Sequence, residues 1–300
     1  MTVTIWSARL AAVGASLTLG LAATLTSTTP ATASGTGSGG AGANIVGGSD
    51  ATRPYPFVAL EYTYYPELGQ SSSCTATVVK VLGSNGPETG AVINANCVTN
   101  YPSTEPEAAS DITLEVGSTQ LDELTPVTPT RVEVYPGWDW ATGDMAVLVL
   151  PKNLHLTGIP IGEQPTPGRK VRLVGWGDTS IDAPGIPPVL QQLDTRITKP
   201  SACADAAIGA GEICVAPAPD GGQACLGDAG APALSATRTG WALLGSGSRG
   251  TNESACTGPT VFTDVTHYRQ WIVQALTHPQ PHHPRHVAPG SARRTVTYVH

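Results

Sequence analysis

Between residues 45 and 265 the chain alternates short apolar runs with clusters of Gly, Pro, Asn and Asp. The runs are "FVALEYTYY" (57–65), "TATVVKVL" (75–82), "GAVINA" (90–95), "ITLEV" (112–116), "RVEVY" (131–135) and "MAVLVL" (145–150). They continue with "KVRLVGWG" (170–177), "LQQLDTRI" (190–197), "GEICVA" (211–216), "APALSA" (231–236), "WALLGSG" (241–247) and "TVFTDV" (260–265). Most are too short to bury a helix, and their β-branched content fits strands at short intervals. The pattern predicts an all-β sandwich or barrel.

One segment breaks this rhythm. In "DVTHYRQWIVQALT" (264–277) Tyr268, Trp271, Ile272 and Leu276 recur at helical spacing, and Asp264 is placed to cap a helix that packs on the β structure. Beyond it, residues 277–300 are rich in proline, histidine and arginine without periodicity, which reads as a solvated, disordered tail. Its histidines 278, 282, 283 and 286 could hold a divalent ion weakly, but no metal site is assigned. No internal repeat is visible.

The other end carries Arg9, an apolar run over residues 10–25, and a small-x-small pattern at Ala31, Thr32 and Ala33. This predicts a signal peptide over 1–33 and hence a secreted, extracellular protein. The run is too short and too broken for a membrane anchor, and no other stretch is long enough to cross a bilayer. Residues 34–44 then form a Gly/Ser-rich linker or pro-segment before a domain at 45–276.

Composition narrows the class further. Apolar residues make up 40% of the 300, enough for a sizeable core, so the chain is not disordered. Residues 45–276 carry 12 Lys and Arg against 23 Asp and Glu, which argues against nucleic acid as a partner. The six cysteines, Cys74, Cys97, Cys203, Cys214, Cys225 and Cys256, are even in number and follow an export signal. Three disulfides are expected, with fifteen connectivities open, and the absence of any C-x-x-C pair argues against zinc.

Five landmarks occur in one order: "IVGG" (45–48), "NANC" (94–97), "DMAVLVL" (144–150), "VGWG" (174–177) and "CLGDAGAP" (225–232). Together they resemble the chymotrypsin-like serine proteases over about residues 45–276. That resemblance implies two six-stranded antiparallel β-barrels with the site between them, a C-terminal helix, and disulfides Cys74–Cys97, Cys203–Cys214 and Cys225–Cys256. It implies no cofactor and a monomer.

It also implies a catalytic triad of His, Asp and Ser, in which the histidine takes the proton of the attacking hydroxyl and the aspartate orients the imidazole. Asp144 stands at the aspartate position. Asn96 stands where the family has the histidine, and Ala229 where it has the serine. A carboxamide is no base near neutral pH, and a methyl group is no nucleophile. His155 and His267 do not map to the cleft of such a fold. Ser246 and Ser248 lie nearby in sequence but would have no base to activate them.

The backbone N–H groups of Gly227 and Ala229 would remain as an oxyanion hole. Asp228 matches the carboxylate that pairs with a freed Ile45 amino group, although Asn44 is not the basic residue usual before that cleavage. Asn96 and Ser248 are expected to donate to the Asp144 carboxylate. By alignment the specificity pocket comprises Gln223 at its base, Ser248, Arg249 in place of tryptophan, Gly250, and Thr260, which narrows it. The sequence therefore predicts a catalytically inactive homologue that binds a protein or peptide. An active extracellular endopeptidase and a surface adhesion or decoy module are the alternatives. Asn252 opens a formal glycosylation sequon.

Overall fold

The computed structural model describes residues 45–278 except 84, 85, 153, 181 and 183. The expected leader, the linker and residues 279–300 of the tail lie outside the described residues. Fourteen strands follow one another: β1 (Ser49–Asp50), β2 (Val58–Tyr65), β3 (Gln70–Gly83), β4 (Gly86–Ile93), β5 (Ile112–Val116), β6 (Thr125–Val127) and β7 (Arg131–Val134). Then come β8 (Ala146–Val149), β9 (Lys170–Gly175), β10 (Gln191–Thr198), β11 (Glu212–Val215), β12 (Pro232–Thr237), β13 (Gly240–Gly250) and β14 (Thr260–Asp264). Each of the twelve apolar runs lies on a strand. The two strands without a run, β1 and β6, are too short to show a period.

The strands form two antiparallel sheets. In the second, the order β10-β11-β14-β13-β12-β9 closes because β9 also pairs with β10, and β1 adds to β10 outside this six-stranded ring. Closure leaves the ring no free edge. The first sheet has seven strands in the order β6-β5-β2-β3-β4-β8-β7, and no ladder joins its outer strands among the described residues. It is a half-barrel, and beside the closed ring it gives the all-β, two-barrel architecture with a C-terminal helix that was expected. Pro126 in β6 has no N–H to offer a further strand, which suits an edge position.

Two apolar clusters form, one around Leu60, Val78, Ile93, Leu114 and Leu148 of the first sheet, reaching Val174, Leu234 and Leu243 of the second, the other around Leu173, Ile197, Val215, Leu244 and Phe262. Helix α1 (Arg269–Thr277) packs on β3, β4 and β8 through Ile272, Ala275 and Leu276, closing the first cluster. It starts later than the sequence pattern implied and ends with the predicted segment at Thr277. Asp264 caps the preceding turn instead: its Oδ1 accepts the backbone N–H groups of Thr266 (2.9 Å) and His267 (3.3 Å). Residues of both sheets then face a common cleft.

Candidate active-site cleft

The cleft has a volume of about 410 Å³. From the first sheet it is lined by residues 71–74 of β3 and by Asn96 and Cys97. The second sheet's side contributes residues 223–229, residues 247–250 of β13, and Thr260. Three disulfides join Cys74 to Cys97, Cys203 to Cys214 and Cys225 to Cys256, and the first and third tie down opposite walls of the cleft.

Asp144 sits just before β8 and is buried. Its Oδ2 accepts the Ser248 hydroxyl at 2.6 Å and the Asn94 Nδ2–H at 2.8 Å, and its Oδ1 accepts the Asn96 backbone N–H at 3.0 Å. Burial pushes its pKa above the usual carboxylate value, and these three donors pull against that shift. The expectation that the Asn96 side chain would donate here is corrected. Asn96 lies in the 3-10 turn Ala95–Cys97, which aims its backbone at Asp144, while its side-chain Oδ1 is buried without a partner.

The amide that does the work belongs to Asn94. Its Nδ2 also lies 3.1 Å from the Asp144 carbonyl and 3.2 Å from Thr263 Oγ1, and its Oδ1 accepts the Ser246 hydroxyl. Sequence reasoning passed over this residue. The available signal was a second asparagine in "NANC", ending an apolar strand where a buried amide must find partners.

The stretch from Cys225 to Gly230 turns back on itself, with Gly227 and Gly230 at φ of 80° and 81°. A side chain on Gly230 would fall on the Thr75 carbonyl, so glycine is required there twice over. The turn places Ala229 on the cleft wall, its carbonyl accepting the Thr75 N–H at 2.8 Å. The N–H groups of Gly227 and Ala229 have no acceptor among the described residues. Among the described residues no histidine lines the cleft. His267 stacks edge-on against Tyr268, and His155 is exposed on the segment after β8.

Asp228 points the other way, into the protein. Its Oδ1 accepts the Gly177 N–H at 3.0 Å and its Oδ2 the Cys225 N–H at 2.9 Å. Side chains on Gly175 or Gly177 would occupy the space its carboxylate fills. Burial pushes its pKa up to about 7, with the Asp178 charge adding to the rise against the two backbone donors. Among the described residues it forms no ion pair. Ile45, its expected partner, is fully buried in the second apolar cluster, and the neighbouring Val46 carbonyl accepts the Gln223 N–H at 2.7 Å.

The expected pocket residues Gln223, Ser248, Arg249, Gly250 and Thr260 all line the cleft. Arg249 does not leave its charge there. Its guanidinium grips the Glu212 carboxylate in a two-pronged pair at 2.6 and 2.9 Å and donates to the Ala206 carbonyl at 2.8 Å. Both side chains are nearly inaccessible, at 6% and 2% exposure. Glu212 was not anticipated, though an acid inside the apolar run "GEICVA" signals a buried counter-ion.

Comparison with known proteins adds to this geometry. The family model described as Trypsin matches residues 70–272. Trypsin alpha of Drosophila erecta is 30% identical over 199 residues, covering 61% of this chain and 75% of its own length. A chymase of Macaca fascicularis is 28% identical over 221 residues, 66% of this chain and 83% of its own. Mouse transmembrane protease serine 11G is 35% identical over 128 residues, 40% of this chain, and the match spans only 30% of that protein.

Proposed function

We propose that this chain, which belongs to the trypsin family, is a secreted binding protein that no longer hydrolyses peptides and uses its cleft to hold a protein or peptide segment. The observation that carries the reading is the methyl group of Ala229 on a cleft wall that, among the described residues, contains no histidine. Attack on a carbonyl needs a hydroxyl or thiol and a base to take its proton, and neither stands at Ala229. Loss of the nucleophile or base of a serine triad lowers turnover by about 10⁶, leaving roughly 10³–10⁴ over water from oxyanion contacts and binding.

What the cleft retains supports binding. The free N–H groups of Gly227 and Ala229 form an oxyanion-hole pair that would accept a peptide carbonyl without any reaction following. Asp144 serves structure here: Ser248, Asn94 and the Asn96 backbone satisfy it without an imidazole. Three disulfides suit an oxidising, extracellular compartment. Among the described residues no helix is long and apolar enough to cross a membrane.

The full chain treated with a fluorophosphonate probe should show no covalent adduct by intact mass, beside a trypsin control that labels fully. A stoichiometric adduct would establish an active endopeptidase, the activity named in its relatives, and overturn the proposal. Binding is tested by retention of a protein from the producing organism's secreted fraction, which should be lost when Ala229→Trp fills the cleft. Retention that survives this variant but disappears with residues 277–300 would assign the protein to surface adhesion through its tail.

A further inference from the structure

The floor of the cleft holds an unusual pair. Gln223 and Thr260 are 3% and 6% exposed, both line the cavity, and Gln223 Oε1 and Thr260 Oγ1 are buried with no hydrogen-bond partner. Buried polar atoms in folded proteins are nearly always paired, so two orphans on residues that line one cavity point to a ligand that pairs them. A third, Asn96 Oδ1, lies on the opposite wall.

The charges around the cleft limit what that ligand carries. Arg249 is committed to Glu212, and Asp228 accepts two backbone N–H groups. Asp178 accepts the Gly185 N–H at 2.8 Å and Glu253 the Gly250 N–H at 3.2 Å. At the floor itself a lysine or arginine side chain would meet the Gln223 amide and the Thr260 hydroxyl, while the Asp178 and Glu253 carboxylates elsewhere on the lining already accept backbone N–H groups. A carboxylate would set its own acceptors against Gln223 Oε1. An aliphatic side chain would fill space but leave both atoms unpaired.

Resting on the reading of the cleft as a binding site, we infer that it selects a peptide segment whose inserted side chain ends in a neutral primary amide, glutamine or asparagine. The amide N–H donates to Gln223 Oε1, and the amide carbonyl accepts the Thr260 hydroxyl. Asn96 Oδ1 accepts a backbone N–H of the same segment. Both partners on the floor are neutral, so selection comes from matched donors and acceptors, and an analogue lacking them is rejected because it strands buried polar atoms.

The test uses the full chain and fluorescent peptide pools randomised around one fixed residue, Gln, Asn, Leu, Lys or Glu, read by fluorescence polarisation. The Gln or Asn pool should bind at least about tenfold more tightly than the other three. Thr260→Val and Gln223→Met should each reduce that preference to within about threefold while binding of the Leu pool holds or improves. Thermal melting identifies a variant that has failed to fold, and the other then decides. Equal or tighter binding of the Leu or Lys pool, or an amide preference that survives both substitutions, would overturn the selectivity while leaving a binding cleft. No binding by any pool would overturn the peptide-binding reading itself.

Discussion

Ser248 donates its hydroxyl to Oδ2 of Asp144 at 2.6 Å across 104 residues of sequence, holding a buried carboxylate beside the cleft without a histidine. A hydrogen bond to a charged group contributes about 1.5–3 kcal/mol. Ser248→Ala should lower stability by about that amount, read from the urea midpoint. Asn94→Ala should cost at least as much, because Ser246 and Thr263 also lose a partner. A change below ~0.5 kcal/mol in both would show that the carboxylate is held by other means.

The same carboxylate limits how an introduced histidine could be held. An imidazole introduced by Asn96→His must reach Asp144, but Oδ2 already holds Ser248 and Asn94 and Oδ1 holds a backbone N–H. Asn96→His with Ala229→Ser should therefore hydrolyse peptide esters no more than about a hundredfold faster than the unaltered chain, below the usual gain from a well-placed base. Adding Asn94→Ala should raise the rate further. Efficient turnover by the double variant would mean that only the triad side chains were missing.

Arg249 and Glu212 replace a cleft-lining surface with a buried ion pair. Removing one charge strands the other, which costs about 3–5 kcal/mol, whereas replacing both with apolar residues is often nearly neutral. Glu212→Gln should sharply reduce the thermal midpoint, and Arg249→Met with Glu212→Leu should recover most of the loss. A double-mutant cycle measures the coupling directly.

Glu61 on β2 is fully buried, with Thr63 donating to Oε1 at 2.5 Å and Oε2 unpaired. Burial pushes its pKa up to about 8, against the Thr63 hydrogen bond. A carboxyl whose folded pKa is raised favours folding below its unfolded value near 4.5 and loses that contribution as pH climbs through about 8. Stability should decline across this window. Glu61→Gln should flatten the slope, gaining on the order of a few kcal/mol at pH 9 and little at pH 4. Chemical denaturation across pH checks both arms.

Ile45 and Asp228 form the least settled relationship around the cleft. A chain beginning at Ile45 would bring an α-ammonium to a buried terminus whose next residue already bonds to Gln223. Paired with Asp228, it would draw that carboxyl down from about 7 and keep it ionised. The chain starting at Ile45 should then melt higher at pH 7.5 than one retaining residues 34–44, and the gap should vanish in Asp228→Asn. Identical melting of the two forms would show that no such pair exists.

Strand positions were legible because alternation and turn residues are local: runs such as "ITLEV" and "KVRLVG" state their burial in their own spelling. How far each sheet closes was not, since closure depends on whether edge strands far apart in sequence meet. At the site, the chemistry of Asn96 and Ala229 could be read from the sequence, because a base or a hydroxyl is a property of one side chain. The partners of Asp144 could not.

By itself, then, the sequence determined which chemical groups exist: an all-β chain, six cysteines, and the side chains of Asp144, Asn96 and Ala229. The tertiary structure decided how those groups are satisfied. The Asn94 side chain rather than that of Asn96 completes Asp144, Arg249 turns to Glu212, and Gln223 Oε1 and Thr260 Oγ1, on residues lining the cleft, are left unpaired. A hydrogen bond or ion pair is a relation between atoms brought together by folding, and its energy depends on distance and burial that no single segment encodes.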